Sequence, residues 1–255
     1  MPKKKIKADS KSVIPPPIPP LVWLKAAYKF HTYAYRDPRS ASASAMGSPV
    51  VSPTTVLLGI ASTLFSLGKE SEAKSFLSAV HHCSVVVDAP DGIIFFRAFH
   101  QLRRYETGAM KTSKEKFKPN ARIGLTNINQ GTREYGLVEG HTTIYGGIPE
   151  EHCEAATLAL TNLGHLGTHD SMCSLVGSVE NCSEPKYVVY MPPEQWKTNI
   201  QSGCTAVTLS RFKNAAIEPT LPHWWMAGGD NTEQVPYLIK GRFEGTSRGK
   251  IYRKD

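Results

Sequence analysis

A chain of 255 residues with 30 lysines and arginines against 22 acidic residues carries a formal net charge of +8. That length buries a substantial core as one large or two small domains, and the charge favours a polyanionic partner, nucleic acid before an acidic membrane surface. No run approaches eighteen apolar residues, so the sequence offers no membrane-spanning helix, and five cysteines without a CxxC pair point to reduced thiols in a cytoplasm.

Residues 1–20 are a charged, proline-rich lead unsuited to a helix or a central strand. The fold is expected to begin with a long aromatic strand at Leu21–Tyr35. Arg36 to Arg39 and the run SASASAMGSP then form a small-residue loop. Ser52-Pro53-Thr54-Thr55 reads as a helix start, with serine as N-cap and proline at the first helical position. Val56, Leu57, Ile60 and Leu64 supply its buried face, and Gly68 ends it just past Leu67. A second helix at about Glu70–Val80 turns Ala73, Phe76, Leu77 and Val80 inward. Ser84–Asp88 and Ile93–Phe99 read as strands around the turn signal Pro90-Asp91-Gly92.

From Leu102 to Gly140 the composition shifts to lysine, arginine, glycine and asparagine. This stretch carries Arg103, Arg104, Lys111, Lys114, Lys116, Lys118, Arg122 and Arg133. With few apolar anchors it is either a solvated insertion or a nucleic-acid arm, its cations following a phosphate backbone beside Tyr105, Phe117 and Tyr135.

The segment His141–Ser171 organises the second half of the chain. It reads as a strand (Thr142–Gly146) and a helix from about Glu150 to Leu163, with Cys153, Ala156, Leu160 and Leu163 on one stripe. Glu150 and Glu151 suit the first turn of a helix, and Gly164 is expected in a left-handed conformation after its end. The loop Gly164-His-Leu-Gly-Thr-His-Asp-Ser171 either holds a ligand or turns the chain into its next strand. Met172–Val179 and Tyr187–Met191 read as further strands. Trp196, Trp224 and Trp225 lie in loop-like sequence broken by Pro219, Pro222 and Pro236, as core filling or as stacking groups. The terminal KGRFEGTSRGKIYRKD reads as a phosphate-contacting loop or a tail.

Strand-helix-strand, twice, with a basic insertion predicts an α+β, ferredoxin-like (RRM-type) domain over residues 21–180. The thumb-like insertion spans 102–140, and a small irregular C-terminal region, 181–255, packs on the domain. GxGxxG, Walker and GxSxG patterns are absent, so nucleotide-dependent and serine-triad chemistry have no support. His81-His82-Cys83 is the densest cluster of metal-ligating types. On a strand those neighbours point to opposite faces, so neither a metal nor any cofactor is expected. His100, His141 and His169 lie nearest the basic sequence. They are the material for metal-free acid–base RNA cleavage, but nothing in their order marks them as catalytic.

Two segments carry a resemblance. SAMGSPVVSPTTVLLGIASTLF is similar to the approach to the first helix in the CRISPR-associated Cas-five family, of the RAMP superfamily. TIYGGIPEEHCEAATLALTNLGHLGTHDS is similar to that family's strand, second helix and closing glycine loop. The basic insertion falls between them, where the family carries its thumb, and the likeness covers roughly residues 21–180. The resemblance implies a non-catalytic RNA-binding subunit of a type I Cascade-like effector. Such a subunit grips the 5′ handle of crRNA, caps the backbone filament, and touches a backbone subunit and the large subunit. It would serve RNA-guided recognition of target DNA, in antiviral defence or in guiding a transposon, in the cytoplasm and away from any membrane.

Position by position, the resemblance puts Ser48, Ser52, Thr54 and Thr55 at a helix start suited to phosphate. Arg36 and Arg39 stand ahead of that helix, and Gly167, His169 and Ser171 fall in the second motif's loop. Arg103, Arg104, Lys111, Lys114, Lys116, Lys118, Arg122 and Arg133 correspond to the thumb. One branch of the family cleaves precursor crRNA with a tyrosine-lysine-histidine set. Here Phe65 stands at the comparable position, which counts against processing, and the proline-rich lead departs from the family's usual start.

Overall fold

Alternation along the first strand decides the centre of the molecule. In β1 (Leu21–Phe30) the even positions Leu24, Ala26, Tyr28 and Phe30 are buried, whereas Trp23, Lys25 and Ala27 are half-buried and Lys29 is exposed. The computed structural model describes residues 19–36, 44–45, 47–104, 127–185, 190–191, 203–213, 231–246 and 249–254.

After β1 come β2 (Ser44–Ala45), α1 (Pro53–Ser66), α2 (Glu70–Ala79), β3 (Ser84–Asp88), β4 (Gly92–Arg104) and β5 (Asn127–Glu139). Next are β6 (Thr142–Pro149), a short 3-10 turn (Glu150–His152), α3 (Cys153–Thr161), β7 (Cys173–Cys182) and β8 (Tyr190–Met191). The chain closes with β9 (Cys204–Phe212), β10 (Thr232–Lys240), β11 (Arg242–Thr246) and β12 (Gly249–Arg253).

The central sheet is antiparallel in the order β3-β6-β1-β7. Each outer strand is reached from a central one through helices, β1 to β3 by α1 and α2, and β6 to β7 by α3. This is the ferredoxin-like α+β arrangement. The helices cover the even face of β1. Ile60, Leu64, Phe76, Leu77, Ala156 and Leu160 pack there with Ile144 and Ile148 of β6 and Val85 and Val87 of β3. Tyr28 spans the layers, its buried hydroxyl donating to the Leu160 carbonyl at 2.6 Å. Burial pushes that phenol well above its ordinary pKa, so it stays a neutral donor.

The turn at Pro90-Asp91-Gly92 does not fold β3 back onto β4. It passes the chain into a second sheet of order β11-β12-β4-β5-β2, and Gly140, at φ +79°, returns it to β6. β4 and β5 therefore form a hairpin inserted between two neighbouring strands of the central sheet, paired over thirteen residues without a register slip. Within the expected loop 102–140, residues 102–104 and 127–139 are thus regular strand, and 105–126 lie outside the described residues. The C-terminal segment is also strand: β11 and β12 pair with each other, and β12 lies along β4 from Gly92 to Phe96. A third sheet, β8-β10-β9, packs against α1 through β9. Pro236 sits inside β10 opposite Thr208 rather than interrupting the chain. Its missing N–H is tolerable because β8 reaches only Leu238 and Ile239 on the other side.

Three further expectations are corrected. β1 ends at Phe30, and Thr32 to Arg36 continue as an irregular segment. Gly164 is not left-handed; the helix before it ends at Thr161 and Gly167 carries the positive φ, +91°. His81 and His82 lie in a 3-10 turn with rings 3.8 Å apart, not on a strand. The three tryptophans Trp196, Trp224 and Trp225 lie outside the described residues.

Candidate nucleic-acid interface

The irregular segment after β1 brings the two motif regions together. On one side Thr32 donates its hydroxyl to the Asp170 carbonyl, the Ala34 N–H donates to Ser171 Oγ (3.0 Å), and Thr168 Oγ1 donates to the Ala34 carbonyl (3.2 Å). On the other side Tyr33 donates to the Ser48 carbonyl (2.7 Å) and Tyr35 to Ser52 Oγ (2.6 Å). Alternate residues of one extended stretch thus hold the approach to α1 and the glycine loop, more than a hundred residues apart in sequence.

The hydroxyls expected to cradle phosphate are turned inward. Ser48, Ser52, Thr54 and Thr55 are buried. Ser52 Oγ accepts from Tyr35 and from the Ser210 N–H of β9 (2.9 Å) and makes no cap to its own helix. Thr54 donates to the Ser210 carbonyl (3.2 Å), Thr55 Oγ1 lies 3.1 Å from the Tyr35 hydroxyl, and Ser48 donates to the Val50 carbonyl (2.9 Å). The third sheet covers the start of α1, and these four residues hold the fold together. Ser171 is fully buried in the same role.

A groove of about 480 Å³ lies between the exposed side of α1 and the glycine loop. Ser62, Phe65, Ser66, His165 and Gly167 line it. Its left-handed geometry lets Gly167 approach Tyr35, since a Cβ there would come within 2.9 Å of the ring. Exposed His169 stands beside the groove, its ring 5.1 Å from that of His165. The lining sets the hydroxyls of Ser62 and Ser66 and the His165 imidazole among the apolar Leu58, Ala61 and Phe65, groups that hydrogen-bond and stack rather than neutralise several phosphates. The sequence marked His169 and Gly167 but missed His165 and Ser62; the one-turn spacing of Ser62 and Phe65 on the outer side of α1 was the available signal.

The basic hairpin reaches both motifs from one strand. Arg133 Nη1 donates to Asp170 Oδ2 at 2.9 Å, and the Tyr135 hydroxyl donates to the same oxygen at 3.2 Å. Glu134, on the opposite face of β5, accepts the Gly47 N–H at 2.8 Å and lies 3.3 Å from Lys250 Nζ and 3.6 Å from Arg97 Nε. Arg133 is therefore brought to the glycine loop, and Arg36 pairs as a backbone bridge with Gly47 and has an exposed side chain. Arg103 and Arg104 close β4 opposite Ile128 and Asn127. Arg39, Lys111, Lys114, Lys116, Lys118 and Arg122 lie outside the described residues.

Burial raises the Cys83 and Cys173 thiols to about 12, so neither is a thiolate nucleophile near neutrality. Among the described residues no group of three or more His, Cys, Asp or Glu is placed to hold a metal ion, and no helix is long and apolar enough to cross a membrane.

An α+β protein with a ferredoxin-like central sheet, an inserted basic hairpin and a groove beside a glycine loop is what fold and site define. No family model matches the chain, and no curated protein matches it. Among solved structures it is similar to a CRISPR protein from Archaeoglobus fulgidus, at 12% identity and a TM-score of 0.41 over 92% of each chain.

Proposed function

We propose that this protein is an RNA-binding subunit of a type I CRISPR Cascade-like effector that grips the 5′ handle of crRNA. The observation behind this reading is the joining of the two family-like segments, Ser44–Phe65 and Thr143–Ser171. The stretch Thr32–Tyr35 ties them into one groove, and the basic hairpin is pinned across their loops through Arg133–Asp170 and Glu134–Gly47. A hairpin that leaves the central sheet between β3 and β6 suits an arm that meets a neighbouring backbone subunit. The role is binding without cleavage, and recognition of target DNA is left to base pairing by the guide.

Purification from the native host and sequencing of the RNA that accompanies the protein tests this. Uniform short RNAs sharing a repeat-derived 5′ end are expected, and heterogeneous RNA or none would overturn the proposal. Replacing Arg103 and Arg104 together should weaken RNA binding and flatten its dependence on salt.

One observation favours a second reading as a metal-independent endoribonuclease. His165 and His169 stand together beside the groove, as a general acid and base would. Cleavage of a repeat-containing RNA in EDTA, abolished by His169→Ala, would select that reading; uncut RNA dismisses it.

A further inference from the structure

The central sheet has a second face, turned away from α1, α2 and α3. Its residues are fixed by the strand registers. On β1 they are Trp23, Lys25, Ala27 and Lys29, and on the adjoining central strand β6 they are Thr143, Tyr145 and Gly147, with Lys25 opposite Tyr145 and Trp23 opposite Gly147. The helix-facing neighbours Leu24, Ala26, Ile144 and Ile148 are almost wholly buried, whereas Trp23, Lys25 and Tyr145 are half-buried and Lys29 is exposed.

Trp23 is placed in an unusual way. Its indole lies across Gly147, where a Cβ would meet the ring at 3.0 and 3.1 Å. The ring packs against the Gly147 backbone and leaves Trp23 half-buried. Tyr145 supplies a second ring one pleat further along the sheet. Burial, reinforced by the Asp88 carboxylate, raises its phenol pKa, so the ring remains neutral. The charges on this face lean positive. Asp88 is engaged by Lys254 at 2.6 Å, and Lys25 and Lys29 stand against Glu180, the register partner of Lys25 on β7.

We infer that this face is a stacking platform for single-stranded RNA, with Trp23 and Tyr145 each taking one base and Lys25 and Lys29 lying along the phosphates. Aromatic side chains on the two central strands of a four-stranded sheet are the arrangement by which such sheets take unpaired bases, and a positive flank supplies the backbone contact. The groove beside α1, lined by Leu58, Ala61 and Phe65 as well as hydroxyls, has no lysine, so the two sites take different parts of one strand. The inference deepens the proposed role but rests only on its RNA-binding part, whatever assembly the protein joins.

The test uses the full chain and fluorescein-labelled dodecauridine, with a duplex RNA of equal length as control. Binding is followed by anisotropy and by quenching of tryptophan emission. Trp23→Ala and Tyr145→Ala should each weaken dodecauridine binding by about tenfold or more, whereas Trp23→Phe should stay within about threefold of the parent, because a stacking ring survives. Photo-crosslinking of the unmodified protein should place the RNA on peptides carrying Trp23 or Tyr145, a result independent of how any variant folds. Unchanged affinity in both alanine variants, with His165→Ala alone weakening it, would assign dodecauridine to the groove and overturn the platform while leaving RNA binding intact. A parent protein that binds no single-stranded RNA overturns the platform and the proposed function together. Self-association lost in Trp23→Ala at unaltered RNA affinity gives the face to a protein partner and likewise sinks the inference.

Discussion

The carboxylate of Glu134 offers the sharpest test of how the hairpin is held. Its side chain is 8% exposed and faces Lys250, 24% exposed, at 3.3 Å. Lys250 Nζ also donates to the Gly47 carbonyl at 2.8 Å and lies 4.8 and 5.0 Å from the ring centres of Phe95 and Phe243. At that separation, Coulomb's law with an effective dielectric constant of ~20 gives about 5 kcal/mol of gross attraction. Desolvation of both groups offsets much of it, so the net coupling should be ~1.5–3 kcal/mol. Lys250→Met should cost ~2–4 kcal/mol, because it leaves a buried carboxylate with only the more exposed Arg97 nearby. Glu134→Gln should cost somewhat less, since its amide oxygen still accepts the Gly47 N–H. The double variant should be less destabilised than the sum of the singles. Urea unfolding of all four proteins closes the cycle. A coupling energy under about 0.5 kcal/mol would refute the argument, because sites in contact should not be additive.

Three more expectations rest on described contacts. Tyr35→Phe removes a hydroxyl engaged with Ser52 Oγ, the Ser52 N–H and Thr55 Oγ1, and should cost ~2 kcal/mol in thermal or urea unfolding; a neutral variant would mean the cluster contributes nothing to stability. Gly167→Ala meets both a φ of +91° and the Tyr35 ring and should destabilise by ~1–3 kcal/mol, whereas Gly164→Ala, with nothing within 4 Å of its Cβ, should be neutral within ~0.5 kcal/mol; equal effects would contradict the loop geometry. Burial lowers the His152 pKa and outweighs the Glu151 carboxylate 3.4 Å away, and His81 shifts the same way through burial and then His82. The unfolded chain therefore takes up protons first as pH falls. Stability is full above the ordinary histidine value of ~6.5 and declines as pH drops through it toward the lower folded values. The melting temperature should fall between about pH 7.5 and 5.5, and fall less in His152→Gln, so an identical fall in both proteins would exclude that residue as a source.

The helices were legible because their signals are local. Ser52-Pro53 opens α1 and Gly68, at φ +74°, closes it, as spacing and punctuation said. The strands of the central sheet were legible from their aromatic, apolar and β-branched runs, with rough alternation in β1. β5 was not: Asn127–Glu139 holds two glycines and many polar groups, and what makes it a strand is thirteen partners on β4, a contact no local window contains. The polar cluster at the start of α1 failed for the same reason. Ser52 has the chemistry of a cap and of a phosphate ligand alike, and only the arrival of Ser210 and Tyr35 decides that its oxygen points inward. His165 escaped notice because its significance lies in a groove formed with α1, a helix a hundred residues earlier.

The hairpin behaves as a lever. β12 supports β4 only from Gly92 to Phe96, so eight further residues of β4, from Arg97 to Arg104, run on beyond it. At ~3.3 Å per residue that is an arm of about 26 Å, and a tilt of about 10° at its root sweeps the far end through about 4–5 Å. The two ionic clamps sit at the fulcrum on opposite faces of β5, Arg133 to Asp170 and Glu134 to Lys250, so each resists tilting in the direction the other permits. Weakening one of them would bias the swing to a single side, and the position of Arg104 at the far end of the strand would shift accordingly.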